Sequence, residues 1–181
     1  MSRAFVVALL GAESTGKTML ADALGAVLAA RGARVRVVAE VLREFCDREG
    51  RTPRQDEQSS IAEAQTRRID DAAASAEIVV ADTTALMIAV YSELLFGDAS
   101  LYAAAESAQR RCDLTLLTAL DLPWQADGFI RDGAHVREPV DRKVRAALAR
   151  AGVAFAPVSG HGPARLDAAL AAIDRARPAS A

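Results

Sequence analysis

The chain has 181 residues, 51% of them hydrophobic, which is the length of one domain with enough apolar material for a full core. Its 22 basic and 24 acidic side chains leave a net charge of -2, too little to hold phosphate backbones or anionic lipid non-specifically. Two cysteines, two histidines and 4% aromatics exclude a disulfide-built scaffold, a cysteine-rich zinc module and a stacking platform for single-stranded nucleic acid.

Short β-type runs alternate with longer helical patterns, which predicts parallel strands joined by crossover helices. A buried strand is expected over residues 4–10, a helix over 17–31 closed by Gly32, and a second strand over 35–39. The polar stretch 47–60, with Gly50 and Pro53, predicts a loop. A helix over 61–76 and a strand over 77–81 follow, then helices over 84–96 and 101–110 and a strand over 114–120. Residues 121–139 are charged and broken by proline and glycine, so they are expected to form a mobile loop. A helix over 140–150, a strand over 153–158 and a helix over 164–176 complete the pattern, with 178–181 as a flexible tail. The expectation is one α/β domain over 1–177, a five-stranded parallel sheet with helices on both faces and a lid near 121–139.

The beginning of the chain has the outline of a secretory signal, since Arg3 precedes a short apolar run. That run leads straight into Glu13 and a glycine-lysine motif, so it is read as the first strand. No stretch approaches the ~18 apolar residues of a membrane span, and a cytoplasmic protein is expected.

The sequence Gly11-Ala12-Glu13-Ser14-Thr15-Gly16-Lys17-Thr18 matches G-x-x-x-x-G-K-[ST] in full. Glycines let such a loop curl so that successive backbone N–H groups face a phosphate, and the following helix adds the positive end of its dipole. Lys17 would reach the β- and γ-phosphates, and Thr18 would hold Mg²⁺. The motif lies between an apolar strand and an amphipathic helix, as this mechanism requires. A three-layer P-loop NTPase fold binding ATP with Mg²⁺ is therefore expected. A guanine-reading Asn-Lys-x-Asp is missing where a GTPase would carry it, since residues 118–121 read Thr-Ala-Leu-Asp. A motor would need a further helical domain, for which 181 residues leave little room. A small kinase with a lid is what remains, and a nucleotide-dependent regulator is its rival.

Phosphoryl transfer needs an in-line hydroxyl and charge neutralisation. Glu40 follows the second strand at the end where open α/β sheets bind ligands. It would accept the substrate's hydroxyl proton or hold a ribose; alternatively it caps a helix and pairs with Arg43. Asp82 closes an apolar strand, as an acid near Mg²⁺ should, although aspartate also caps helices well. Arg131 and Arg137 lie in the expected lid, where at least one would reach the transferring phosphate unless both merely pair with neighbouring acids. Trp124, the only tryptophan, would stack on a nucleobase or nicotinamide ring, or else anchor the hinge.

Four blocks of the sequence resemble the nicotinamide riboside kinase domain of the NadR type. They are the P-loop with its Glu13-Ser14-Thr15 interior, Glu40-Val41-Leu42-Arg43-Glu44, Gln65 within Ile61–Gln65, and Asp121-Leu122-Pro123-Trp124-Gln125-Ala126-Asp127-Gly128 followed by Arg131. The resemblance covers roughly residues 4–175. It implies a kinase that makes nicotinamide mononucleotide, with Glu40, Arg43, Gln65, Trp124 and Asp127 at the acceptor. That family often has Asp-Thr-Asp after the third strand, whereas this chain has Asp82-Thr83-Thr84, a departure that bears on the acceptor. A small nucleoside is the expected partner; neither nucleic acid nor a membrane is expected.

Overall fold

The computed structural model describes residues 3–125 and 133–177. Its strands and helices run β1 (Phe5–Leu10), α1 (Lys17–Ala30), β2 (Val35–Val38), α2 (Val41–Glu49), α3 (Gln58–Ala73), β3 (Ile78–Asp82), α4 (Ala85–Phe96), α5 (Tyr102–Gln109), β4 (Leu114–Thr118), α6 (Arg137–Ala151), β5 (Ala156–Val158) and α7 (Gly162–Ala176). The strands form one sheet in the order β2-β3-β1-β4-β5, with every pair parallel.

Alternation along β1 divides the core. Val7 and Leu9 join Leu116 of β4 and Ile78 and Val80 of β3 beneath α1 and α7. Leu10 packs on the other face with Leu117 and with the apolar sides of α2 to α6. Both faces are covered, so β3 is buried at every position, as a central parallel strand should be. Helix α4 is buried along Ala85–Ser92 and is apolar all round, which suits an interior helix. Each large aliphatic side chain buried here contributes about 1.5–3 kcal/mol. Among the described residues no helix is long and apolar enough to cross a membrane.

Register carries the fold into the site. Leu9 pairs with Asp82, Leu10 with Leu117, and Val38 with Ala81. The residues that leave β1, β2, β3 and β4 therefore emerge along one edge of the sheet, around the P-loop.

Three expectations need correction. A helix, α2, stands over part of the region where only a loop over 47–60 was expected, and α3 begins at Gln58. Val41, Leu42 and Cys46 give α2 a buried side among charged neighbours, a pattern too short and too polar to be recognised in the sequence alone. The segment 121–139 is not a loop throughout: Ala134–Val136 form a 3-10 turn and α6 already starts at Arg137. Pro139 sits in the first helical turn, where its missing N–H leaves no bond unmade. β5 is only three residues long and includes Pro157, acceptable on an edge strand.

Candidate active site

The P-loop leaves β1 at Gly11, whose φ is +148°. A Cβ there would lie 2.0 Å from Thr118 Oγ1 on β4, so the close approach of the two segments requires glycine. Thr15 is fully buried, donates to Ala12 O at 2.8 Å and is hydrogen-bonded to Thr118 Oγ1 at 2.7 Å. Ser14 and Gly16 take positive φ values of 52° and 74°, curling the backbone ahead of α1. Gly16 occupies the N-cap of α1, so the helix directs its unpaired N–H groups into the same concavity. Lys17 Nζ folds over the loop, donating to Gly11 O at 2.9 Å and Ala12 O at 2.8 Å.

Thr18 Oγ1 donates to Asp82 Oδ2 at 2.6 Å, and Asp82 Oδ1 is buried with no hydrogen-bond partner among the described residues. A buried, unsatisfied carboxylate oxygen beside a hydroxyl oxygen is a fitting start for Mg²⁺, whose remaining positions phosphates and water would fill. The alternative reading of Asp82 as a helix cap does not hold: Thr84 takes that position and accepts from Leu86 N at 3.2 Å.

A cleft of ≈ 910 Å³ opens around the loop. Its floor is Glu13 to Thr18, and Met19, Leu20 and Ala23 of α1 extend it. On the β2–β3 side stand Glu40, Arg43, Thr83, Met87 and Tyr91; on the β4–β5 side stand Leu122, Pro123, Gln125, Gly162, Pro163, Arg165 and Leu166. Glu40 occupies the N-cap position of α2 without capping it, and its Oε2 lies 3.9 Å from Arg43 Nε. Glu13 is 5% exposed, and its Oε1 accepts from the Tyr91 hydroxyl at 3.2 Å, which links the P-loop to α4. Thr83 has a φ of 71°, a conformation costly for a β-branched residue and often found at functional sites.

Gln65 does not reach the cleft. It is fully buried, accepts from Val41 N at 2.8 Å, and directs its amide nitrogen at Ala39 O (3.4 Å) and Thr83 O (3.5 Å). Because its polar atoms serve the backbone on either side of Glu40 and at Thr83, it is a support rather than a substrate contact. Glu44 pairs with Arg68 of α3 at 2.6 Å, away from the site. Thr84, where the resembled family carries a second acid, is buried and bonded to Gln109 at 2.6 Å.

Arg137 is also not an exposed lid residue. It is 8% exposed at the start of α6, and its Nη1 donates to Leu122 O at 2.9 Å. Its Nε and Nη2 are buried without a partner among the described residues, so the group retains donors. Trp124 is half-buried between two cleft residues, Pro123 and Gln125, without lining the cleft itself. Arg131 and Asp127 lie outside the described residues. At the root of the expected lid, Ser14 Oγ donates to Gln125 O at 2.9 Å and accepts from Gln125 N at 3.2 Å.

The sequence reading missed Thr83, Met87, Tyr91, Thr118 and Arg165. Thr83 had the one available signal, since it directly follows the acid that ends β3.

A family model described as an AAA domain matches residues 6–165, so the chain belongs to that family, a P-loop class. Among solved structures, two of the NadR protein, one in complex with NAD and AMP-PNP and one with NR, superpose with a TM-score of 0.75 at 19% and 20% identity. They cover 96% of this chain, which spans about half (49%) of the NadR chains. A deoxyadenosine kinase from M. mycoides, with products dCMP and dCDP bound, superposes at a TM-score of 0.64 and 11% identity, covering 94% of this chain and 99% of its own. No curated protein matches in sequence. The chain therefore has the fold that these structures share.

Proposed function

We propose that this chain is an ATP- and Mg²⁺-dependent kinase that phosphorylates a hydroxyl of a small nucleoside, with nicotinamide riboside the first acceptor to test. The observation that carries the reading is that the cleft extends to both sides of the P-loop. A triphosphate on the loop leaves one apolar side, with Met19, Pro163 and Leu166, for its base. The other side, with Glu40, Arg43 and Tyr91, is left for a second molecule. An ATPase that acts on water needs no such second compartment.

In this reading Lys17 and the loop N–H groups hold the β- and γ-phosphates. Thr18 and Asp82 hold Mg²⁺, which neutralises charge on the phosphates. Glu40 takes the proton from the acceptor hydroxyl, and Arg43 keeps that carboxylate in place. Arg137 or Arg131 supplies guanidinium donors to the transferring group, and the resemblance alone assigns Trp124 and Asp127 to the acceptor. Nicotinamide riboside is supported by the four resembling blocks and by the NadR structure bound to NR. The full-length match to a deoxyadenosine kinase supports purine and pyrimidine nucleosides as the second class to test.

A panel of ribosides and deoxyribosides incubated with ATP and Mg²⁺, read by mass spectrometry, tests the proposal. One riboside should gain a phosphate, and Lys17→Ala should abolish most of that gain while circular dichroism stays native. Release of inorganic phosphate with every riboside unmodified would mean a regulator rather than a kinase.

A further inference from the structure

Arg165 is 4% exposed in the first turn of α7, and its guanidinium joins three segments distant in sequence. Nη1 donates to Asp121 Oδ1 at 2.8 Å and to Gly160 O at 2.9 Å. Nη2 donates to the backbone carbonyl of Thr15, inside the P-loop, at 2.7 Å, and reaches Ala119 O at 3.5 Å. Asp121 completes the knot by accepting from Gly160 N at 2.6 Å with its other oxygen.

The bond to Thr15 bears on the chemistry of the loop. A trans peptide is planar, with its C=O and N–H pointing in opposite directions. With the carbonyl of Thr15 held by Arg165, the N–H of Gly16, in the same peptide, points to the opposite side of that peptide, away from the guanidinium. Gly16 is in the left-handed conformation that such anion-binding turns use. Lysine could not do this equally well, because its three donors radiate from one atom, whereas the two separated Nη atoms of the fork serve an acid and three carbonyls.

We propose that Arg165, oriented by Asp121, is a positioning residue that presets the Thr15–Gly16 peptide for phosphate binding. It also fixes the root of the loop after β4 to the same frame. Burial raises the Asp121 carboxyl, but the Arg165 guanidinium and the Gly160 N–H together bring it below its ordinary value, so the pair stays charged. The inference rests on the reading of the P-loop as a nucleotide site, and it adds a residue with no place in the P-loop motif.

The test is titration with a fluorescent ATP analogue carrying a methylanthraniloyl group, with tripolyphosphate and adenosine as competitors. Arg165→Met should weaken ATP and tripolyphosphate alike, by about 10- to 100-fold, and leave adenosine unchanged. Arg165→Lys, which keeps the charge without the fork, should recover less than half of that loss on a logarithmic scale. Asp121→Asn should weaken ATP less, and the double variant should be no worse than Arg165→Met alone, because the acid acts through the arginine. If Arg165→Met does not fold, Arg165→Lys and Asp121→Asn decide the matter by the same ATP-against-adenosine comparison. Folded variants that bind ATP as the parent does, or that lose ATP and adenosine equally, overturn this inference alone. A parent chain that does not bind the analogue overturns the proposed function and this inference together.

Discussion

Glu40 illustrates how much a single residue's meaning depends on its surroundings. It leaves the end of β2 with a side chain 15% exposed, faces the cleft, and is supported from beneath by the buried amide of Gln65 at its neighbours Ala39 and Val41. Replacing it with glutamine keeps its size and removes its ability to take a proton, so Glu40→Gln should lower turnover by about 10²- to 10⁴-fold. ATP affinity, measured by titration, should change little; unchanged turnover would leave Asp82 as the better candidate for the base. At this scale the P-loop was legible because its information is local, eight consecutive residues from Gly11 to Thr18. Gln65 and Arg165 were not, since their roles lie in contacts with backbone 24 and 150 residues away. Only the resemblance singled out Gln65, and with a role at the acceptor rather than beneath Glu40; nothing in the neighbouring sequence marks Arg165 as more than an ordinary helix residue.

Helices α4, α5 and α6 meet at Glu93, and this junction has a pH signature. Its carboxylate is held below the usual glutamate value of 4.5 by hydrogen bonds from Lys143 and then from Tyr102. The Lys143 ammonium stands 2.8 Å away and the Tyr102 hydroxyl 2.6 Å away. A carboxyl that is more acidic folded than unfolded adds stability above its unfolded pKa and loses it as pH falls through the folded one. Glu93→Gln should therefore melt earlier than the parent at pH 7, and the difference should shrink as pH falls below about 4.5. A difference in melting temperature that holds constant down to pH 3 would contradict this account. The same junction shows what sequence patterning can and cannot supply. The apolar run of α4 and the glycine that ends it at Gly97 are readable locally, whereas its partner Lys143 lies across the expected lid. The late start expected for α6 has a similar origin: Pro139 reads as a break in one dimension and is a permitted first-turn residue in three.

Across the whole molecule the packed core and the cleft are separated, with packing in the body of the sheet and the cleft at the ends of its strands. Leu116 is fully buried in the layer beneath α1 and α7. Leu116→Ala should cost about 2–5 kcal/mol in chemical denaturation while the folded fraction binds ATP as before. Lost ATP affinity without lost stability would mean that the two regions are not separate. Alternating strands and helices made the doubly wound sheet legible, because each crossover helix has its own period and the parallel order follows from it. The side of the cleft proposed for the acceptor was not legible in the same way, since residues at the start of α2, after β3 and on α4 line it only after the sheet has brought them together.

The central claim is that the cleft transfers phosphate to a second molecule rather than to water. The most direct measurement follows the γ-phosphoryl group of ATP, isotopically labelled, in the presence of Mg²⁺ and each of a set of ribosides. The account predicts that the label moves to a hydroxyl of one riboside, at a rate that Lys17→Ala and Glu40→Gln both suppress. Label recovered only as inorganic phosphate, at the same rate with and without every riboside, would contradict it.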